Sequence, residues 1–141
     1  MDELTREVRS RAGHCCEYCL IPQAAFRRPF HIEHVVARQH GGTAHLDNLA
    51  LACWHCNLKK GPNLAGLGPA TGLMGPLFHP RKEKWTDHFA AHVGGLMRLG
   101  IEIRGSTPVG RATVRVLGMN EEMRRMLRYE LWREGIYSGR S

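Results

Sequence analysis

The 141-residue sequence predicts an α+β fold: a strand–strand–helix unit pinned by a structural zinc, followed by an α-rich C-terminal region. Three observations predict it. Two C-x2-C pairs, Cys16 with Cys19 and Cys53 with Cys56, stand a few tens of residues apart, the spacing of a four-thiolate zinc site. Between and after them come two β-rich runs and a helix-like segment. Farther on, apolar residues recur at helical spacing.

Each element has its own signal. Asp2 suits a helix N-cap, with Leu4, Val8 and Ala12 following on one face. This helix delivers the chain to the first cysteine pair. Residues 20–29 read as a loop carrying Arg27 and Arg28, expected to face solvent or phosphates. Residues 30–36 alternate and predict a strand; Gly41-Gly42 and Asp47-Asn48 mark turns; residues 49–52 predict a second short strand. A helix over residues 54–60 is stopped by Gly61-Pro62.

The remainder divides at a Gly/Pro-rich stretch. Residues 1–62 form the zinc-pinned unit, 63–76 an extended surface connection, and 77–141 a mainly helical, basic extension packed on the same domain. Within the extension, Trp85, Phe89 and Val93 predict one face of a helix, and residues 101–104 a strand. Thr107-Pro108 predicts the cap and first turn of a helix reaching Leu117, with Val109, Ala112 and Val116 inward. Asn120 is expected to cap a last helix. Its apolar stripe of Met123, Met126, Leu127 and Leu131 opposes Arg124, Arg125 and Arg128, the arginines that would meet DNA or solvent.

Composition bounds the function. Lys and Arg number eight against six acids up to Lys60, and twelve against seven beyond it. Such a basic balance suits a polyanion-binding protein, and equally a soluble protein that is merely basic. No apolar run approaches the roughly 20 residues that span a bilayer. The N-terminal MDELTREVRSR has no apolar signal-peptide core. A cytoplasmic, reducing compartment is therefore expected, which favours zinc thiolates over the alternative of two disulfides. Cys15, at the poorer spacing, is read as a free thiol.

Glu33-His34 lies between the cysteine pairs, and Asn57 directly follows the last cysteine. With Gly41-Gly42, Asn48-Leu49 and Lys60, these residues make the ordered pattern C-x2-C, acid-His, Gly loop, Asn-Leu, C-x2-C-N-x2-K. In this the first sixty or so residues resemble the HNH endonucleases of the ββα-metal superfamily. Glu33 stands where Asp is common there, and Ala37 where many members carry proline. The tail is similar to a bacterial HNH subgroup through its LFxPRxxxWxxHF letters at 77–89 and GxTxxGRAT letters at 105–113.

The resemblance implies a metal-dependent DNA endonuclease that leaves 5′-phosphate and 3′-hydroxyl ends. Phosphodiester hydrolysis needs an activated water and neutralisation of developing charge. His34 is the expected general base. Glu33 and Asn57 offer the oxygen ligands that Mg2+ or Mn2+ takes. Neighbours on a regular strand face opposite ways, so Glu33 and His34 share a site only where the strand ends or bends. In the family the middle asparagine, here Asn48, holds the loop and first strand by backbone hydrogen bonds. Lys60 reads as a phosphate contact or a solvated helix end. His31 and His55 receive no role, and His88 with His92 lacks an HExxH pattern. The rival reading is a catalytically inactive, zinc-stabilised nucleic-acid-binding module, which would not require Glu33, His34 and Asn57 together.

Overall fold

A computed structural model describes residues 2–94 and 99–138. Met1 and two pieces of the expected C-terminal extension, 95–98 and 139–141, lie outside the described residues. Helix α1 (Glu3–Arg11) starts where expected, the Asp2 carboxylate accepting the Thr5 N–H at 2.7 Å. Val8 and Ala12 are buried, whereas Leu4 is exposed, because only the last turns of α1 meet the body of the protein.

Strands β1 (His31–His34) and β2 (Leu49–Ala52) pair antiparallel, with Glu33 opposite Ala50 and His34 opposite Leu49. The expected strand over 30–36 is thus trimmed at both ends. Helix α2 (Trp54–Lys60) follows directly, with Cys53 as its N-cap and Gly61, at a positive φ of 52°, ending it. Between the strands the chain makes 3-10 turns at Arg38–His40 and Leu46–Asn48. Strand, strand and helix are therefore ββα, on boundaries close to those the sequence predicts.

The second half departs further. The stretch expected as an extended connection contains a hairpin, β3 (Ala65–Leu67) against β4 (Met74–Pro76). Its glycines do more than loosen the chain: Gly66 passes so close to Val116 that a side chain would collide. The helix expected through Val93 stops after one turn, α3 (Trp85–His88), and becomes β5 (Phe89–Val93). Strand β5 pairs with β6 (Ile101–Gly105), and that pairing overrides the helical spacing. Trp85 and Phe89 are buried as expected; Val93 is exposed.

Helix α4 (Pro108–Val116) is capped by the Thr107 hydroxyl, which accepts the Gly110 N–H at 3.0 Å. Gly110 lies against the His88 carbonyl, where any Cβ would collide. Helix α5 (Glu122–Arg133) is not capped by Asn120. The Asn120 amide instead pairs with both backbone groups of Ile103 at 2.8 Å, filling an edge that β6 leaves open. Among the described residues no helix is long and apolar enough to cross a membrane.

The last helix keeps Leu127 and Leu131 inward as expected but departs at Met123 and at its arginines. Met123 is 80% exposed while Arg128 is fully buried. The Arg128 guanidinium donates twice to the Ile101 carbonyl, at 3.0 and 2.7 Å, and Arg125 donates to the Asn120 carbonyl. These arginines satisfy backbone ends inside the fold, so they do not form the exposed face expected for DNA contact.

Candidate active site

Cys16 and Cys19 flank a tight turn after α1; Cys53 and Cys56 sit at the start of α2. All four are buried and their sulfurs lie within 4.8 Å of one another. None is in a disulfide. The Cys19 and Cys53 sulfurs are 3.7 Å apart. Ligands about 2.3 Å from a tetrahedral zinc stand about 3.8 Å from each other, so the donor set fits one structural zinc. Cys15 lies outside the cluster and its backbone bridges to Pro22.

The turn between Cys16 and Cys19 is a hub. The Glu17 carboxylate accepts the Leu51 N–H of β2 at 2.9 Å and an N–H of Arg81. The Tyr18 carbonyl accepts the Trp85 indole N–H at 2.8 Å, and the Cys19 carbonyl accepts the Tyr137 hydroxyl at 3.0 Å. Arg124 of α5 places Nη2 3.2 Å from the Cys53 sulfur and 3.7 Å from that of Cys19. Burial opposes the Arg124 charge, but the neighbouring sulfurs outweigh it and its pKa is raised. A guanidinium here offsets part of the negative charge that four thiolates bring to a zinc centre.

The second locus is a cleft of about 330 Å³ lined by Glu33, His34, Ala37, Arg38 and Asn57, beside Gly61 and Pro62. Strand β1 ends at His34, so the alternation rule no longer keeps the two neighbours apart. Asn57 reaches the same cleft from α2. His34 Nε2 is buried with no hydrogen-bond partner among the described residues.

Glu33 is buried and held from two sides. It accepts the Tyr18 hydroxyl, and its other oxygen stands 3.9 Å from the Lys60 ammonium. Burial raises the Glu33 pKa, with Lys60 and Tyr18 opposing the rise. Burial likewise lowers that of Lys60, against the pull of Glu33. Lys60 is not a solvated helix end. Its side chain is 2% exposed, and its Nζ donates to the Val35 carbonyl at 2.8 Å. Burial inside the ββα unit leaves it to position Glu33 and the strand end.

Asn48 is buried and makes three hydrogen bonds: its Oδ1 accepts from Val36 N, and its Nδ2 donates to the carbonyls of Val36 and Thr43. These stitch the segment after His34 to the loop before β2. Gly42 packs against the Val36 carbonyl too closely for any side chain, so a glycine there keeps that stitch tight.

Of the histidines left without a role, His31 contacts the Trp54 ring at 5.8 Å between centroids. His55 pairs through Nε2 with the Gly118 carbonyl at 3.0 Å and faces Glu121 at 3.4 Å. Sequence reasoning missed Glu17 and Tyr18, the two residues inside the first cysteine pair. Their only signal is position between two ligands, which does not say what they touch.

Comparison with known proteins bears on the stretch that holds both cysteine pairs. Residues 16–63 match the model of the family described as HNH endonuclease. No curated protein and no solved structure matches the chain.

Proposed function

We propose, with an HNH segment over residues 16–63 as the premise, that the protein is a metal-dependent endonuclease hydrolysing DNA phosphodiester bonds. The observation that carries this reading is the meeting of His34, Glu33 and Asn57 in one cleft, from a strand end and a helix. Zinc thiolates alone would serve a binding module equally well; this convergence would not be needed there.

His34 takes the proton of the attacking water, a role suited to an imidazole with an unpartnered ring nitrogen. Glu33 and Asn57 would hold a divalent cation, Mg2+ or Mn2+, which would supply neutralisation of the charge developing on the phosphate and the leaving 3′ oxygen. Lys60 and Tyr18 fix the Glu33 carboxylate, and Asn48 fixes the backbone that follows His34. The Cys16, Cys19, Cys53 and Cys56 site has no part in the chemistry; it sets where α2, and so Asn57, lies relative to β1. The excess of Lys and Arg supports a polyanionic partner.

Relaxation of supercoiled plasmid in the presence of magnesium or manganese tests the proposal. His34→Ala should keep zinc, fold and DNA affinity while lowering cleavage by about two to four orders of magnitude. Glu33→Ala and Asn57→Ala should recover part of their activity at high metal concentration. A His34→Ala protein that cuts at the wild-type rate would overturn His34 as the base, and a wild-type protein that binds DNA but cuts with neither metal would establish the inactive binding module instead.

A further inference from the structure

A second recess, of about 420 Å³, opens beside the first turn of α2. Phe26, Phe30 and Trp54 line it, with Arg27, Arg28 and Arg124 among its polar neighbours and no carboxylate among the described residues. Trp54 is 47% exposed, unlike Trp85, which is 3% exposed in the core. The Arg28 guanidinium lies 4.6 Å from the Trp54 ring centroid, and Phe26 and Phe30 stack tilted at 5.6 Å. An exposed indole with a guanidinium on its ring and an apolar floor is built to stack a flat, polarisable group. Exposed Arg27 and Arg28 add the positive charge that a phosphate-bearing ligand requires.

Place in the fold says which ligand. Trp54 and Asn57 lie about one turn apart on α2. His31, which touches Trp54, lies three residues before His34 on β1, a span on the order of 10 Å. The two elements that supply His34 and Asn57 to the candidate cleft thus also carry His31 and the recess residue Trp54. We infer that the Trp54 recess binds an unpaired nucleobase of the substrate strand, a neighbour of the phosphate held at His34 and Asn57. The inference rests on the nuclease reading for that phosphate, and it selects substrates with an unpaired stretch over continuous duplex. A base inside a duplex presents only its edges, so its face cannot meet the indole unless it is unstacked.

Fluorescence anisotropy with the full-length, zinc-loaded protein and no added divalent cation provides the test. The probes are a short single-stranded oligodeoxynucleotide and its duplex. Trp54→Ala should weaken single-strand binding by about tenfold and duplex binding by less than about twofold, with Trp54→Phe keeping most of the affinity. Single-strand binding should also quench tryptophan emission in the wild type and in Trp132→Phe, but not in Trp54→Phe. Equal loss on both probes, no loss on either, or quenching that survives in Trp54→Phe would overturn the stacking site and leave the nuclease reading standing. Stacking with these signatures in a protein that cleaves no polynucleotide would uphold the site and sink the nuclease reading.

Discussion

Lys60 shows how one residue's environment changes its meaning. Its ammonium lies 3.9 Å from a carboxylate that is itself buried, and it donates to the Val35 carbonyl. Lys60→Met leaves Glu33 without its compensating charge, and removing one partner of a buried pair costs about 3 kcal/mol. Urea denaturation of the zinc-loaded protein at neutral pH should show a loss of that size. The pH dependence has a definite sign. Burial raises the folded-state pKa of Glu33 above 4.5, so the folded protein binds that proton more tightly than the unfolded chain. Stability contributed by this group is present at low pH and falls as pH rises through the raised value. Removing Lys60 extends that fall to higher pH, so the penalty should shrink on acidification. A variant as stable as wild type at pH 7 would show that the pair carries no net energy.

At the scale of elements, α5 reads the cysteine cluster from outside. Arg124 is the contact, 3.2 Å from Cys53 Sγ, while Arg133 on the last turn of α5 is mostly exposed. Residues that support metal ligands from outside commonly change metal affinity by about 10- to 100-fold when lost. Arg124→Met should therefore weaken zinc binding by at least about tenfold in competition with a chromophoric chelator, and should speed amide exchange along α5. Arg133→Met should change neither. Unaltered zinc affinity in Arg124→Met would make the contact incidental. The same logic gives the tail letters a purpose. Arg81 and Trp85 grip Glu17 and the Tyr18 carbonyl. The Thr113 hydroxyl accepts the Phe78 N–H at 2.8 Å, joining the 77–89 and 105–113 runs of the extension to each other.

For the whole molecule, these contacts make the first cysteine turn the meeting point of both halves. Leu51 of β2, Trp85, Arg124 of α5 and Tyr137 converge on residues 17–19. Zinc removal should then cost more than the first sixty residues. Folding free energy supplied by a structural zinc is typically about 10 kcal/mol or more in small domains, ample to melt a fold with shared core. Chelation followed by hydrogen exchange should show protection lost together in β1–β2 and in β5–β6 with α5. Protection that survives in the second group alone would mean that the C-terminal half folds without the metal.

What the sequence determined by itself was the local chemistry: two cysteine pairs, an acid-His step, a capped helix, and the asparagines around them. Such signals are short-range, because a cap, a turn or a ligand pair is specified by residues close in the chain, and β1, β2 and α2 appear where those signals put them. Tertiary structure decided everything that depends on a distant partner. It made a strand of residues 89–93 because β6 lies alongside, a hairpin of a glycine-rich connection because α4 covers it, and an interior of arginines that look solvated by spacing alone. It turned Lys60 inward toward Glu33, and it brought Arg124 across the chain to the sulfurs. Periodicity reports which residues share a face, but whether that face meets water, a backbone carbonyl or a thiolate depends on what packs against it.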